Sequence, residues 1–305
     1  MRSAFLAGML LMTAALHAQS VPSAISADPP ADSSNPASLV EIVVPSHGAQ
    51  LLGAFYLASG IQSHPTVIIY HGFPGYEQNL DLAQALRRAG YNVLAVHYRG
   101  SWGVSGNFSF QHVIEDADAE VEWLTSPEVA AKYRVDPARV IVIGHSMGGY
   151  AALSATAHNA QVVAAISISG ASLGHRFADL KPEDRDKAIA QYAGRANPVD
   201  LLPLAGTSAS ALGGEVFDHR NEWDFLKLAP ALGKRPVLLI SANDGTGRTA
   251  KHCSRLLSKR ETHNPHISSS RRITPSATIA SLLKPRSSNG SISKGSKRLR
   301  VDRNR

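Results

Sequence analysis

Glycines frame one serine of this 305-residue chain in a way that could make it reactive. In Gly144-His145-Ser146-Met147-Gly148 the serine follows the apolar run Arg139–Gly144 and precedes the helix-forming run Gly148–Asn159. A hydroxyl becomes a useful nucleophile when a sharp strand-to-helix turn projects it, and Gly-x-Ser-x-Gly spacing supplies such a turn. Side chains two residues to either side of the serine would collide with neighbouring backbone, so both places need glycine. The serine is expected in a strained conformation, with the following helix N-terminus favouring developing negative charge. Ser146 is therefore the candidate nucleophile. A small-residue turn could match five positions by chance, but strand, pentapeptide, Gly149 and helix together argue against that.

Attack on a carbonyl creates an oxyanion, which needs N–H donors. The segment His71–Gly75 (HGFPG) follows the apolar run Thr66–Tyr70 and offers the backbone N–H of Phe73, while Met147 offers the second. His71 itself reads as structural rather than as a general base. The third requirement is an acid at the end of a later strand. Asp244 in LLISANDG occupies that place, the alternative being an Asx turn or helix cap. The order serine, acid, histidine then calls for a histidine beyond Asp244. His252 is only eight residues on, too close for an intervening helix. His263 and His266 are better spaced but read as solvated loop residues, so the catalytic histidine is not identified. Without an imidazole Ser146 has no general base, and such losses remove several orders of magnitude in rate. No ligand cluster suggests a metal, and this chemistry needs no cofactor. The expected partner is a small-molecule or peptide substrate.

These residues need a frame. Residues 39–44 and 51–58 read as an opening antiparallel pair. Short, largely apolar runs at 66–70, 92–98, 139–144, 162–170 and 235–244 read as strands, and 81–90, 114–126 and 148–159 as helices. Strands alternating with helices predict an α/β fold, with a doubly wound, mostly parallel sheet and helices on both faces. The polar stretch 171–232 interrupts the alternation as a lid or insertion, within a domain expected over 39–247.

Composition bounds the rest. A hydrophobic content of 44% suffices for a proper core. The formal charge of +7 is unevenly placed: residues 1–247 carry 16 Lys/Arg and 22 Asp/Glu, whereas 248–305 carry 15 and 2. Residues 1–18 have the three parts of a signal peptide and predict export to a periplasm or medium. The apolar run from Ala4 to Leu16 is shorter than the ~20 residues a spanning helix needs. Residues 19–38, rich in Ser, Ala, Asp and Pro, read as a flexible linker. The single Cys253 excludes an intrachain disulfide. Residues 248–305 read as a basic, Ser-rich, disordered tail. A rival reading makes the chain a non-enzymatic protein whose tail binds nucleic acid or an anionic surface, although no specific nucleic-acid partner is expected. The sequence leaves the oligomeric state open.

With its elbow GHSMGG, the stretch HYRGSWGVSGNFSF (97–110), the acidic helix holding Trp123, and VDPARVIVIGHSMGGYAA, the span 39–244 resembles the α/β-hydrolases. It looks most like the branch of prolyl-oligopeptidase catalytic domains and dienelactone-hydrolase-like enzymes. The resemblance implies a serine hydrolase cleaving ester or amide bonds through an acyl-enzyme on Ser146. A histidine would carry the proton, and Asp244 would orient it. It also implies a further helix, strand, histidine loop and closing helix after Asp244, which residues 248–305 do not resemble. One explanation is a shift of reading frame near Gly245–Arg248. Codons can be chosen for Arg272–Ser281 that, read from the third nucleotide, encode Asp-His-Ser-Phe, and the coding nucleotides decide the matter.

Overall fold

The computed structural model describes residues 22–233 and 235–241. The expected signal segment 1–18, Asp244, the candidate histidines 252, 263 and 266, and the tail 248–305 lie outside the described residues.

Among the described residues, seven strands form one sheet: β1 (Ser38–Ser46), β2 (Ala49–Leu57), β3 (His64–Tyr70), β4 (Asn92–Val96), β5 (Val135–His145), β6 (Val162–Ile168) and β7 (Val237–Ile240). Their spatial order is β1-β2-β4-β3-β5-β6-β7. The pairs β1/β2 and β2/β4 are antiparallel, and every pair from β4 to β7 is parallel. The reversal of winding between β3 and its two parallel neighbours makes this a doubly wound α/β sheet, as the alternating pattern predicts. The central strands are buried on both faces, which is why they read as continuous apolar runs. In β3, Ile68 and Tyr70 join the main core while Val67 and Ile69 are buried on the opposite side.

Among the described residues, eight α-helices accompany the sheet: α1 (Ser23–Ser26), α2 (Leu80–Arg88), α3 (Phe110–Thr125), α4 (Pro127–Tyr133), α5 (Met147–His158), α6 (Arg185–Ala193), α7 (Ala209–Asp218) and α8 (Phe225–Leu232). Helix α3 buries Phe110, Val113, Ile114, Ala117, Val121 and Leu124, the spacing of a single helical stripe. At roughly 1.5–3 kcal/mol per large apolar side chain, that stripe dominates its docking. The helix begins four residues earlier than the apolar pattern suggests. Ser109 caps it by accepting from the His112 N–H. The Glu215 carboxylate of α7 accepts from the N–H groups of Phe110 (2.8 Å) and Gln111 (2.9 Å).

Two expectations change in detail. The segment expected as a loose linker contains α1, which packs on α2, and Asp28 pairs with Arg87 and Arg88. The interruption at 171–232 is largely helical. Its last helix, α8, packs against α5 and leads into β7, as a crossover helix does, so the inserted portion ends before Phe225.

Two carboxyls share the buried face of α3. Asp116 is held by Arg99 Nε (2.6 Å), the Arg99 N–H (2.8 Å) and the Ser46 hydroxyl (2.6 Å). Glu120, one turn on, is fully buried, and neither carboxyl oxygen has a hydrogen-bond partner. Burial, and next the charge of Asp116, push its pKa well above 4.5. The unfolded chain therefore releases this proton first. Stability is full below the unfolded value and falls as pH rises toward the folded one. Glu120→Gln is expected to match the parent near pH 4 and to exceed it above pH 6. The gap should widen by at most ~1.4 kcal/mol per pH unit until the folded pKa is reached, as urea unfolding across pH will measure. Glu215→Ala should cost about 1 kcal/mol by removing the charge at the start of α3, read in the same unfolding experiment at pH 7.

Candidate active site

The elbow joins β5 to α5 at one residue. Ser146 has φ 54° and ψ −116°, a conformation rarely adopted by any residue other than glycine. Its N–H donates to Ile168 O of β6 (3.0 Å), and its carbonyl accepts from the N–H groups of Gly149 (3.0 Å) and Ala171 (2.9 Å). Both faces of the peptide are thus held by neighbouring backbone, and the strain persists because the surroundings impose it. The flanking glycines are steric necessities. A Cβ at Gly144 would lie 1.9 Å from Gly148 O, and one at Gly148 would lie 2.0 Å from Tyr70 O. The Ser146 side chain is half-buried, and no hydrogen bond joins its hydroxyl to another described residue.

The segment after β3 lies directly against this serine. A Cβ at Gly72 would fall 3.2 Å from Ser146 Cβ and the same distance from His145 O. Phe73 follows, its ring packed on Phe108 (5.8 Å) and Phe110 (6.0 Å). Met147 begins α5, so its N–H has no acceptor within the helix. No described backbone carbonyl takes the N–H of Phe73 or Met147. The structure thus brings Ser146, Met147 and the loop bearing Phe73 to the same ends of β3 and β5. Asp244 follows β7 beyond the described residues. β7 pairs with β6, on the side of β5 away from β3.

A chain of imidazoles fixes the Phe73 loop. His71 is buried, and burial pushes its pKa down to about 4, with His97 likewise lowered to about 4. Both rings are therefore neutral at pH 7. Gly72 O can only accept, so His71 Nδ1 carries the hydrogen there (2.8 Å). His71 Nε2 then accepts from His97 Nδ1 (3.3 Å), and His97 Nε2 accepts from Gln78 Nε2 (3.1 Å). Trp102 stacks on His97 (5.7 Å between centroids) and donates through Nε1 to Pro74 O (2.8 Å). The carbonyls on either side of Phe73 are thereby drawn to one side. His71 orients the loop and reaches no reacting group. His97, Gln78 and Trp102 escaped the sequence reading because their value lies in contacts across a loop. The stretch 97–110 was noticed only as a family signal.

Among the described residues, no cluster of three or more His, Cys, Asp or Glu side chains could hold a metal ion. No described helix is long and apolar enough to cross a membrane.

Known proteins are similar to this chain in part of their sequence or in fold. Two uncharacterized proteins of Mycobacterium tuberculosis are 34% identical over 126 residues, 41% of this chain and 43% of theirs. The chain thus matches less than half the length of those relatives. An acetyl xylan esterase from Paenibacillus sp. R4 superposes with a TM-score of 0.54 at 17% identity, covering 81% of this chain and 82% of that one. The acylaminoacyl peptidase of Pyrococcus horikoshii does so with 0.51 at 19% identity, covering 73% and 36%. At those identities the likeness is one of fold. The Alpha/beta hydrolase family model matches residues 67–273, from the middle of β3 through the elbow and beyond β7. By that match, and by the strained serine between β5 and α5, this chain belongs to the alpha/beta hydrolase family.

Proposed function

We propose that this protein is a serine hydrolase that cleaves ester or amide bonds through an acyl-enzyme on Ser146. The observation that carries the reading is the conformation of Ser146. It is a positive-φ residue at a buried strand-to-helix turn, with Gly72 packed against its Cβ. Strain of that kind persists only where the surroundings over-determine it, and such positions cluster at functional sites.

The chemistry runs in two halves. Ser146 Oγ forms a bond to the carbonyl carbon while its proton passes to a general base, and the carbonyl oxygen becomes an oxyanion. The N–H groups of Phe73 and Met147 are the donors suited to that oxyanion, and the first turn of α5 adds its positive end. Collapse expels the alcohol or amine, which takes the proton from the base. Water then attacks the acyl-enzyme, gives up its own proton, and releases the acid and the free serine. Asp244, which follows β7 in the sequence, is the candidate for the acid that orients the base, and the histidine that would be that base is not identified. The esterase and peptidase among the structural neighbours fit an acyl-transfer reading without choosing between ester and amide.

A fluorophosphonate probe tests this. The full chain should be labelled, and Ser146→Ala should abolish labelling and lower any ester hydrolysis by roughly 10⁴-fold or more. Labelling that survives Ser146→Ala rejects the assignment, and a parent that is folded yet inert to the probe rejects the reading of this chain as an active serine hydrolase. Gly148→Ala should lower the melting temperature and the labelling rate together, because the new methyl can be accommodated only by moving the elbow away from Tyr70 O. An unchanged melting curve would show that the elbow has room that the contact distances deny.

A further inference from the structure

Beside the candidate oxyanion loop the inserted helices border an open cavity of about 240 Å³. Phe73 forms one wall, and Tyr192, Leu212, Arg176 and Arg195 contribute others. At ~30 Å³ per water-sized volume, it has room for about eight such groups, a short chain or one ring rather than a whole polymer.

The charges around it are arranged unevenly. Four arginines lie between residues 171 and 232. Two are used within the fold: Arg185 pairs with Asp218 (2.7 Å), and Arg220 donates to the carbonyls of Phe217 (2.7 Å) and Leu180 (3.2 Å). The other two, Arg176 and Arg195, both line the cavity, and neither guanidinium has a hydrogen bond or ion pair with a described residue. The Arg176 guanidinium lies over the Tyr192 ring, 5.4 Å from its centroid, which restrains it without satisfying its N–H donors. One carboxylate, Asp200, also lines the cavity and is approached by Asn197 Nδ2 at 3.5 Å. Two guanidiniums against one carboxylate leave the lining cationic.

From this juxtaposition we infer that the cavity binds the carboxylate of an acidic ester, an ester joined through a short apolar spacer to a free carboxylate. Arg176 and Arg195 would grip that anion, and Phe73, Tyr192 and Leu212 would cover the spacer. The inference rests on the hydrolase reading for the word ester, but the anion site stands on its own geometry. A guanidinium holds a carboxylate through two parallel N–H bonds, so an apolar cleft ending in free guanidiniums selects for a charged terminus. Because Phe73 both lines the cavity and carries a candidate oxyanion donor, an anchored carboxylate would leave the spacer leading toward Ser146. Arg176 and Arg195 are thus assigned as specificity-determining residues.

Direct binding tests this without requiring turnover. Titration calorimetry of the full chain with hexanoate and with neutral hexanamide should show hexanoate binding about tenfold tighter or more. Arg176→Gln/Arg195→Gln should remove that preference, and Ser146→Ala should leave it intact. Both arginines are exposed, so the double variant should fold, which its melting curve checks. Hexanoate should also slow fluorophosphonate labelling of the parent but not of the double variant. Equal binding of hexanoate and hexanamide overturns the proposal, as does hexanoate binding that the double variant retains. Tighter binding of butyl phosphate than of hexanoate overturns the carboxylate assignment. If the binding arms succeed and the probe never labels Ser146, the anion site stands and the serine hydrolase reading falls.

Discussion

At the carboxyl ends of β3 and β5 two stretches of backbone run so close that a single methyl on Gly148 would meet Tyr70 O at 2.0 Å. The serine and the loop opposite it take their mutual position from that approach. It brings the first turn of α5 beside the loop that follows β3, and it places Gly72 against Ser146 Cβ. Glycine within a helix costs about 1 kcal/mol relative to alanine, and here two stand in succession near the start of α5. That cost is offset because α5 is buried on nearly all sides. From Met147 to Thr156 each of its residues is buried, against the sheet, α3 and α8. Small side chains such as Ala151, Ala152 and Ala155 let it sit deep enough for the elbow to form.

Around that contact lies a layer of polar groups, of which Ser46, His71, Arg99 and Asp116 are buried and so need partners. Arg99, Asp116 and Ser46 join the loop after β4 to α3 and to the end of β1. His71, His97, Gln78 and Trp102 hold the loop bearing Phe73 by a directional series of hydrogen bonds and stacked rings. Neutral imidazoles suit this task. Each ring nitrogen has one role, donor or acceptor, so the chain of bonds has a single sense. Glu120 stands apart as a buried carboxyl whose oxygens are unpartnered, and it makes the core sensitive to rising pH.

The inserted helices serve a different purpose from the sheet. They are fastened to the body through backbone. Ala205 N–H donates to Gly100 O (2.7 Å), Trp102 N–H to Pro203 O (2.9 Å) and Phe108 N–H to Ala205 O (2.9 Å), while Glu215 caps α3. The same 97–110 stretch therefore supports the Phe73 loop on one side and the insertion on the other. The strained serine stands at the end of a sheet strand and the cavity among the added helices, and α/β folds commonly carry their binding residues on elements added to a rigid sheet.

The sequence by itself determined the α/β class, the strands buried on both faces, and the elbow. Each is a local consequence: apolar runs of strand length, and glycines whose absence the turn cannot survive. HGFPG was also legible, because a tight turn after a buried strand leaves a mark in residue types. What only the tertiary structure decided are the relations across the chain. The Arg99–Asp116 pair is separated by 17 residues, Glu215 reaches α3 over more than a hundred, and the histidine pair links 71 with 97. Spacing carries no signal for such pairs, because sheet order and helix docking set their distances. The same holds for the cavity. The patterning of 171–232 showed only polarity, since its three helices take their apolar faces from one another and from the body. That packing leaves the guanidiniums of Arg176 and Arg195 without a hydrogen-bond partner among the described residues, at the wall next to Phe73, while Arg185 and Arg220 are engaged elsewhere.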